Sequence, residues 1–189
     1  MKRLAVYCGA NSGADPLFAD TAEQLGAEMA KRDIGLVYGG GKLGLMGIIA
    51  DSVLAGNGEV HGVIPEALVD LEVAHQGLTE LHIVTSMHER KAKMTDLCDG
   101  FIAMPGGIGT LDELFEAWSW NALGYHAKPF LLLNTGGFWD SMISFVDHVV
   151  ANGFISEARR EQMLVATQIG DAIEQLAHAA NGAKQGMTW

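Results

Sequence analysis

The chain has 189 residues, the size of one ordinary domain and enough to bury a core without disulfide or metal staples. Hydrophobic residues make up 49% and charged residues 19%, a balance that excludes an intrinsically disordered chain. Lys plus Arg number 12 against 23 Asp plus Glu, and the resulting net charge of −11 excludes a broad surface for polymeric nucleic acid while leaving room for one small basic pocket. Glycine is the outlier, with 24 residues of 189, roughly 13% where ~7% is usual. Two cysteines, Cys8 and Cys98, cannot make a disulfide framework and read as reduced thiols of a cytoplasmic protein. No apolar run reaches the ~18 residues needed to cross a bilayer, so no membrane contact is expected. The apolar stretch before Gly9 is too short for a signal peptide, and Asn11, Ser12 and Asp15 follow at once.

In chain order, Leu4 to Tyr7 predicts a strand, and Asp15-Pro16 opens a helix to about Lys31 with Phe18, Ala22, Leu25 and Met29 on one stripe. Ile34 to Tyr38 predicts a strand, Gly44 to Leu54 a helix, and Val60 to Ile64 a strand closed by Pro65. Glu66 to Glu80 reads as irregular, and Leu81 to Val84 as a strand. Ser86 to Cys98 predicts a helix opened by the capping box Ser86-x-x-Glu89. Phe101 to Met104 predicts a strand, Leu111 to Leu123 a helix, Pro129 to Leu133 a strand and Phe138 to Ala151 a helix. Leu164 to Thr167 and Asp171 to Ala180 predict the last strand and helix, with 181–189 as a flexible tail. Wholly apolar strands separated by helices are buried on both faces. The expected fold is α/β, a Rossmann-like doubly wound parallel sheet with helices on both faces, in a single domain over residues 1–180.

Ligands of such sheets bind at the carboxyl ends of the strands. Three glycine-rich loops fall there: Cys8-Gly9-Ala10-Asn11-Ser12-Gly13, Gly39-Gly40-Gly41-Lys42-Leu43-Gly44 and Pro105-Gly106-Gly107-Ile108-Gly109-Thr110. Each lets backbone N–H groups converge at a helix N-terminus, a ready anion site. One such loop is explained by tight turns; three together point to an anionic ligand, phosphate above all. The first loop lacks the G-x-G-x-x-G spacing, and Leu43 stands where a Walker loop carries Ser or Thr, so hydride transfer and ATP hydrolysis are both poorly supported.

Two charged residues stand out. On a helical wheel Met87, Met94, Leu97 and Cys98 form the apolar stripe of their helix, Arg90 falls inside it and Lys91 at its edge. A guanidinium there needs an anionic partner, either within the core or in a ligand. In the next helix Leu111, Leu114, Phe115, Trp118 and Ala122 make the core stripe, while Glu113 lies on the other side near Ala117, Trp120 and Leu123. A second apolar face suggests a subunit interface. Glu113 completes Thr110-x-x-Glu113, so it reads either as a capping-box residue or as a carboxylate one turn from a phosphate cradle. His61, His75, His82 and His88 are scattered along the chain, and no metal-ligand motif is visible.

The run Pro105-Gly106-Gly107-Ile108-Gly109-Thr110-Leu111-Asp112-Glu113 resembles the PGGxGTxxE motif of the LOG family, cytokinin riboside 5′-monophosphate phosphoribohydrolases formerly labelled lysine decarboxylases. Met87-His88-Glu89-Arg90-Lys91 resembles the MHxRK motif upstream, and Gly39-Gly40-Gly41 through Gly47 and the Cys8-Gly9 loop also match, over about residues 1–180. The resemblance implies hydrolysis of the N-glycosidic bond of nucleoside 5′-monophosphates, such as cytokinin riboside 5′-monophosphate or AMP. It implies a homodimer that shares its active site, with no cofactor and no metal. By motif position Arg90 and Glu113 form the catalytic pair, and Glu72, Lys91, Gly106, Gly107, Ile108, Gly109, Thr110 and Ser119 belong to the substrate site, with Ser12, Gly40 and Gly41 from the other loops. Ser119 stands where the family has a threonine, and Ala10-Asn11 where it often has two serines. A general nucleotide nucleosidase is an alternative reading. So is a non-catalytic carrier, because molybdenum-cofactor carrier proteins have a similar fold and a related glycine loop. A lysine decarboxylase needs a Schiff-base lysine and a pyridinium partner, and no lysine stands in such a context.

Overall fold

The computed structural model describes residues 1–70 and 73–185, so Glu72 of the implied substrate site lies outside the described residues. Strands β1 (Arg3–Tyr7), β2 (Gly35–Tyr38), β3 (Val60–Pro65), β4 (Glu80–Val84), β5 (Gly100–Ala103), β6 (Phe130–Leu133) and β7 (Met163–Ala166) form one sheet in the order β4-β3-β2-β1-β5-β6-β7. Every pairing is parallel. Helices α1 (Pro16–Lys31), α2 (Gly44–Ala55), α3 (Met87–Leu97), α4 (Ile108–Ala122), α5 (Asp140–Ala151), α6 (Glu157–Glu161) and α7 (Ile169–Gln185) carry the crossovers and connections. The doubly wound α/β fold expected from the apolar strands is present.

The two-residue period of a strand sends alternate side chains to opposite layers. Leu4 and Val6 of β1 join Leu25, Met29, Ile49 and Leu176 in the core beneath α1, α2 and α7. Ala5 and Tyr7 join Met94, Leu114, Trp118 and Val146 beneath α3, α4 and α5. Strand order reverses between β1 and β5, which pair with Tyr7 opposite Ala103. The crevice at their carboxyl ends is where a sheet of this topology binds its ligand. The loops after β1 and β5 meet there, with the Gly9 amide donating to the Pro105 carbonyl at 3.1 Å.

Several local expectations are corrected. Helix α4 starts at Ile108 and not Leu111, because Gly107 takes an extended conformation and stands as the N-cap with no side-chain cap bond. Thr110 is therefore inside the first turn, and Thr110-x-x-Glu113 is not a capping box. The core face of α4 is Thr110, Leu114, Ala117 and Trp118, whereas Phe115 is exposed. Met87 likewise lies outside the α3 core face, which is Arg90, Met94 and Thr95. Helix α5 begins at Asp140, after a short 3-10 turn over Thr135–Gly137, which leaves Phe138 in the connection. Helix α6 was not expected; Ser156 caps it by accepting from the Arg159 amide. Helix α7 continues past Ala180 to Gln185, into the segment expected as a tail, and 186–189 lie outside the described residues. The Ser86 box of α3 forms: Ser86 Oγ accepts from the Glu89 amide at 3.1 Å. The Glu89 carboxylate reaches back to Thr85 N at 2.8 Å, one residue earlier than the box requires.

Candidate active site

A cavity of about 500 Å³ opens at the β1/β5 crevice, within the size range of small-ligand sites. Its floor is the β1 loop, including Gly9 and Ser12, and one wall is Pro105 to Thr110. The wall ends in the start of α4, whose first N–H groups have no intrahelical carbonyl to bond. Gly106 is required by a close approach: a Cβ there would stand 2.1 Å from Thr110 Oγ1 and 3.0 Å from the Gly9 amide nitrogen. Around Gly107 and Gly109 a Cβ would meet nothing within 4 Å, so a ligand can come directly against that backbone. This half of the cavity is a cradle of amides and hydroxyls, suited to a phosphate.

Arg90 and Glu113 both line the same cavity, although they come from α3 and α4. Arg90 is 4% exposed, and its Nη2 donates to the Gly39 carbonyl at 3.0 Å. Gly39, at the end of β2, is what admits it, since a Cβ at position 39 would stand 2.0 Å from Arg90 Nη2. Glu113 sits one turn into α4, and its charge is felt at the buried Cys8 and Tyr7 side chains. Burial first, and the Glu113 charge second, push the Cys8 thiol and the Tyr7 phenol well above their ordinary pKa values. A thiol held protonated is no nucleophile. The carboxylate and the guanidinium are thus the charged groups of the cavity, and a cationic sugar centre between them and the amide cradle would face Glu113.

The cavity also has an apolar part to its lining, made by Phe18, Leu45, Met46, Leu68, Met87 and Phe138. Phe18 and Phe138 meet edge to face with centroids 5.8 Å apart. The sequence reading did not assign these to the site. For Phe138 a signal existed, since it follows Gly136-Gly137 just beyond the carboxyl end of β6, where the fold rule places ligands.

Other implied site residues lie elsewhere in this chain. Lys91 is not in the cavity lining; its side chain, 12% exposed, pairs with Asp112 at 3.1 Å and Glu116 at 2.8 Å. Ser119 is exposed and lines a shallow groove on α4 with Ile108, Leu111, Phe115 and Trp120. Gly40 and Gly41 are buried against the 73–75 segment: the Gly40 carbonyl accepts from the His75 amide at 3.0 Å, and Gly41 bridges Ala74. Neither lines the cavity. His88 of the MHxRK motif packs edge to face on Trp120 at 5.9 Å. His75 is held by Asp51, with Nε2 and Oδ1 2.8 Å apart.

Residues 46–176 match a family profile described as "Possible lysine decarboxylase". The chain is 44% identical over 173 residues to a cytokinin riboside 5′-monophosphate phosphoribohydrolase of Rhodococcoides fascians, spanning 91% of this chain and 87% of that one. It is 43% identical over 188 residues to the enzyme of that name, LOG, from Oryza sativa subsp. japonica, spanning 100% of this chain and 78% of that one. Among solved structures it resembles the Moco carrier protein of Chlamydomonas reinhardtii, with a TM-score of 0.72 at 19% identity over 95% of this chain and 98% of that one. The molybdenum cofactor binding protein of Rippkaea orientalis superposes with a TM-score of 0.70 at 22% identity, over 93% and 95% of the two chains. At these identities the two carriers share the fold and nothing more is carried over. With the paired motifs facing one cavity and relatives matched over most of its length, the chain belongs to the LOG family.

Proposed function

We propose that this protein hydrolyses the N-glycosidic bond of nucleoside 5′-monophosphates, cytokinin riboside 5′-monophosphate and AMP among them, to free base and ribose 5-phosphate. The observation that carries the reading is the convergence of Arg90, Glu113 and the amide cradle of Gly106 to Thr110 on one cavity that also has apolar lining. The 5′-phosphate sits on the cradle and the start of α4, and the base packs against the apolar lining of Phe18, Met87 and Phe138. As the C1′–N bond breaks, positive charge builds on the sugar ring, and Glu113 stabilises it and orients or deprotonates the attacking water. Water supplies the new C1′–O bond, and the base leaves with the bonding electrons and takes up a proton. Arg90 binds the phosphoribosyl part and balances Glu113. The decarboxylase description has no support in the cavity, since no lysine lines it among the described residues. A carrier needs the cradle but has no use for a carboxylate aimed at the sugar, so the Glu113 placement favours the enzyme.

Fixing the remote phosphate supplies orientation. Charge-assisted hydrogen bonds contribute about 1.5–3 kcal/mol each, so two of them make kcat/KM for AMP exceed that for adenosine by about 10²–10⁴-fold. Product analysis with AMP, N6-isopentenyl-AMP and the matching nucleosides checks this. Equal turnover of adenosine and AMP would remove the phosphate cradle from the mechanism, and nucleotide binding with no turnover would return the carrier reading.

The chain acts as a homodimer in this reading. Ile108 is 83% exposed, and Phe115 farther along α4 and Leu123 just past its end are exposed too, an apolar face that a second copy would cover. Lys91 and Ser119 lie near this face, so pairing along it brings them toward the neighbouring cavity. Phe115→Glu is expected to turn a dimer into monomers in analytical ultracentrifugation and to lower activity with it; a variant that stays dimeric puts the interface elsewhere. Among the described residues no helix is long and apolar enough to cross a membrane. The buried free thiols of Cys8 and Cys98 fit the reducing cytoplasm.

A further inference from the structure

The histidines that are scattered in the sequence are not all scattered in space. Strands β3 and β4 pair in parallel with His61 opposite Glu80 and Val63 opposite His82. The two-residue period then turns His61, Glu80 and His82 toward one another on one face of the sheet edge. One ligand atom from each lies within 4.8 Å of the other two. His61 Nδ1 is 3.5 Å from Glu80 Oε2, and His82 Nε2 is 3.4 Å from the same oxygen. Donors around a tetrahedral ion with bonds of about 2.0–2.1 Å stand about 3.3–3.4 Å apart, so these two separations already match.

The nitrogens are placed as ligands are. His61 Nδ1 and His82 Nε2 are both buried and neither makes a hydrogen bond. A buried polar atom without a partner costs about 1–3 kcal/mol, and an ion between the two would satisfy both. His61 is 5% exposed, and its other ring nitrogen, Nε2, faces Glu59 Oε2 at 3.4 Å. A carboxylate behind the ring favours the tautomer with hydrogen on Nε2, leaving the Nδ1 lone pair toward Glu80 and His82. Glu80 is half exposed, which opens the cluster to solvent and to an arriving ion.

We propose that His61, Glu80 and His82 form a binding site for a divalent transition-metal ion, zinc by preference, that ties the edge strand β4 to β3. Two imidazoles and one carboxylate suit zinc, with water in the fourth position. The site lies at the amino ends of β3 and β4, whereas the cavity lies at the carboxyl ends, so it is separate from the hydrolytic centre. Its role is structural. An edge strand is the sheet's weakest member, and β4 leads through Thr85 and Ser86 directly into α3, which carries Arg90.

The test is calorimetric titration of the chelator-stripped full chain with zinc chloride, beside its Glu80→Gln and His82→Gln variants. The expected result is one zinc per chain, with a rise in Tm on the order of 5–10 °C at about 100-fold excess over Kd. Each variant is expected to bind about 10-fold more weakly or worse while keeping its metal-free Tm, because both side chains keep partial contact with solvent. Cobalt(II) in place of zinc should give the visible spectrum of a four-coordinate nitrogen and oxygen site. Absence of zinc binding below about 1 mM overturns the proposal. So does an affinity in both variants unchanged from that of the unsubstituted chain, which would leave the two histidines as ordinary ion-pair partners of Glu80. None of these readouts depends on nucleotide turnover.

Discussion

Replacing Glu113 with Gln is expected to lower kcat on AMP by roughly 10²–10⁴-fold and to leave the fold intact. The substitution keeps the shape and hydrogen-bonding reach of the side chain and removes its charge. Glu113 stands inside α4 and not at its cap, and Glu and Gln have nearly the same helix propensity. The residue is partly exposed, so Tm should move by no more than about 2 °C. KM should change little, because the carboxylate acts mainly on charge that develops in the transition state. Steady-state kinetics and a thermal melt on the same preparation decide the matter. Full activity in the Gln variant would remove Glu113 from the chemistry. Loss of both activity and stability would make it a structural charge.

Arg90 gives the second large effect. Its guanidinium is buried and meets the Gly39 carbonyl at 3.0 Å, in a space that only glycine leaves open. Lysine keeps the charge and loses the planar fork, so Arg90→Lys should cost about 10²–10³-fold in kcat/KM. Arg90→Met should cost at least as much. A buried cation is expensive to desolvate, and an apolar side chain of similar volume offsets much of its removal. The Gly39 carbonyl is then left without this donor, for a loss of about 1–3 kcal/mol. The Met variant should therefore fold, with Tm lowered by roughly 2–4 °C per kcal/mol. Gly39→Ala supplies an independent handle, since its Cβ would displace the guanidinium without changing it. It should reproduce the kinetic defect. Unfolding of both Arg90 variants would mean that the residue is a core ion-pair member, and normal turnover in either would exclude it from the site.

The fold class and the position of the candidate site's cavity are legible in the amino-acid sequence alone. Apolar strands alternating with helices leave few arrangements other than a doubly wound parallel sheet, and the glycine loops mark its carboxyl edge. The run from Pro105 to Glu113, with Arg90 upstream, named the cradle and both charged groups, because each is local in sequence and chemically distinctive. What surrounds them was settled only by tertiary structure. The wheel for α4 put Phe115 in the core and Thr110 at a cap, since the sheet decides which arc of a helix is covered and the Gly107 backbone decides where the helix starts. Phe18 and Phe138 come from the first and fifth helical connections, and the crevice alone makes them neighbours. His61 and His82 are 21 positions apart, a spacing that carries no metal signature. Parallel register between β3 and β4 brings their bare nitrogens to one carboxylate, and register is a property of the paired strands rather than of either one.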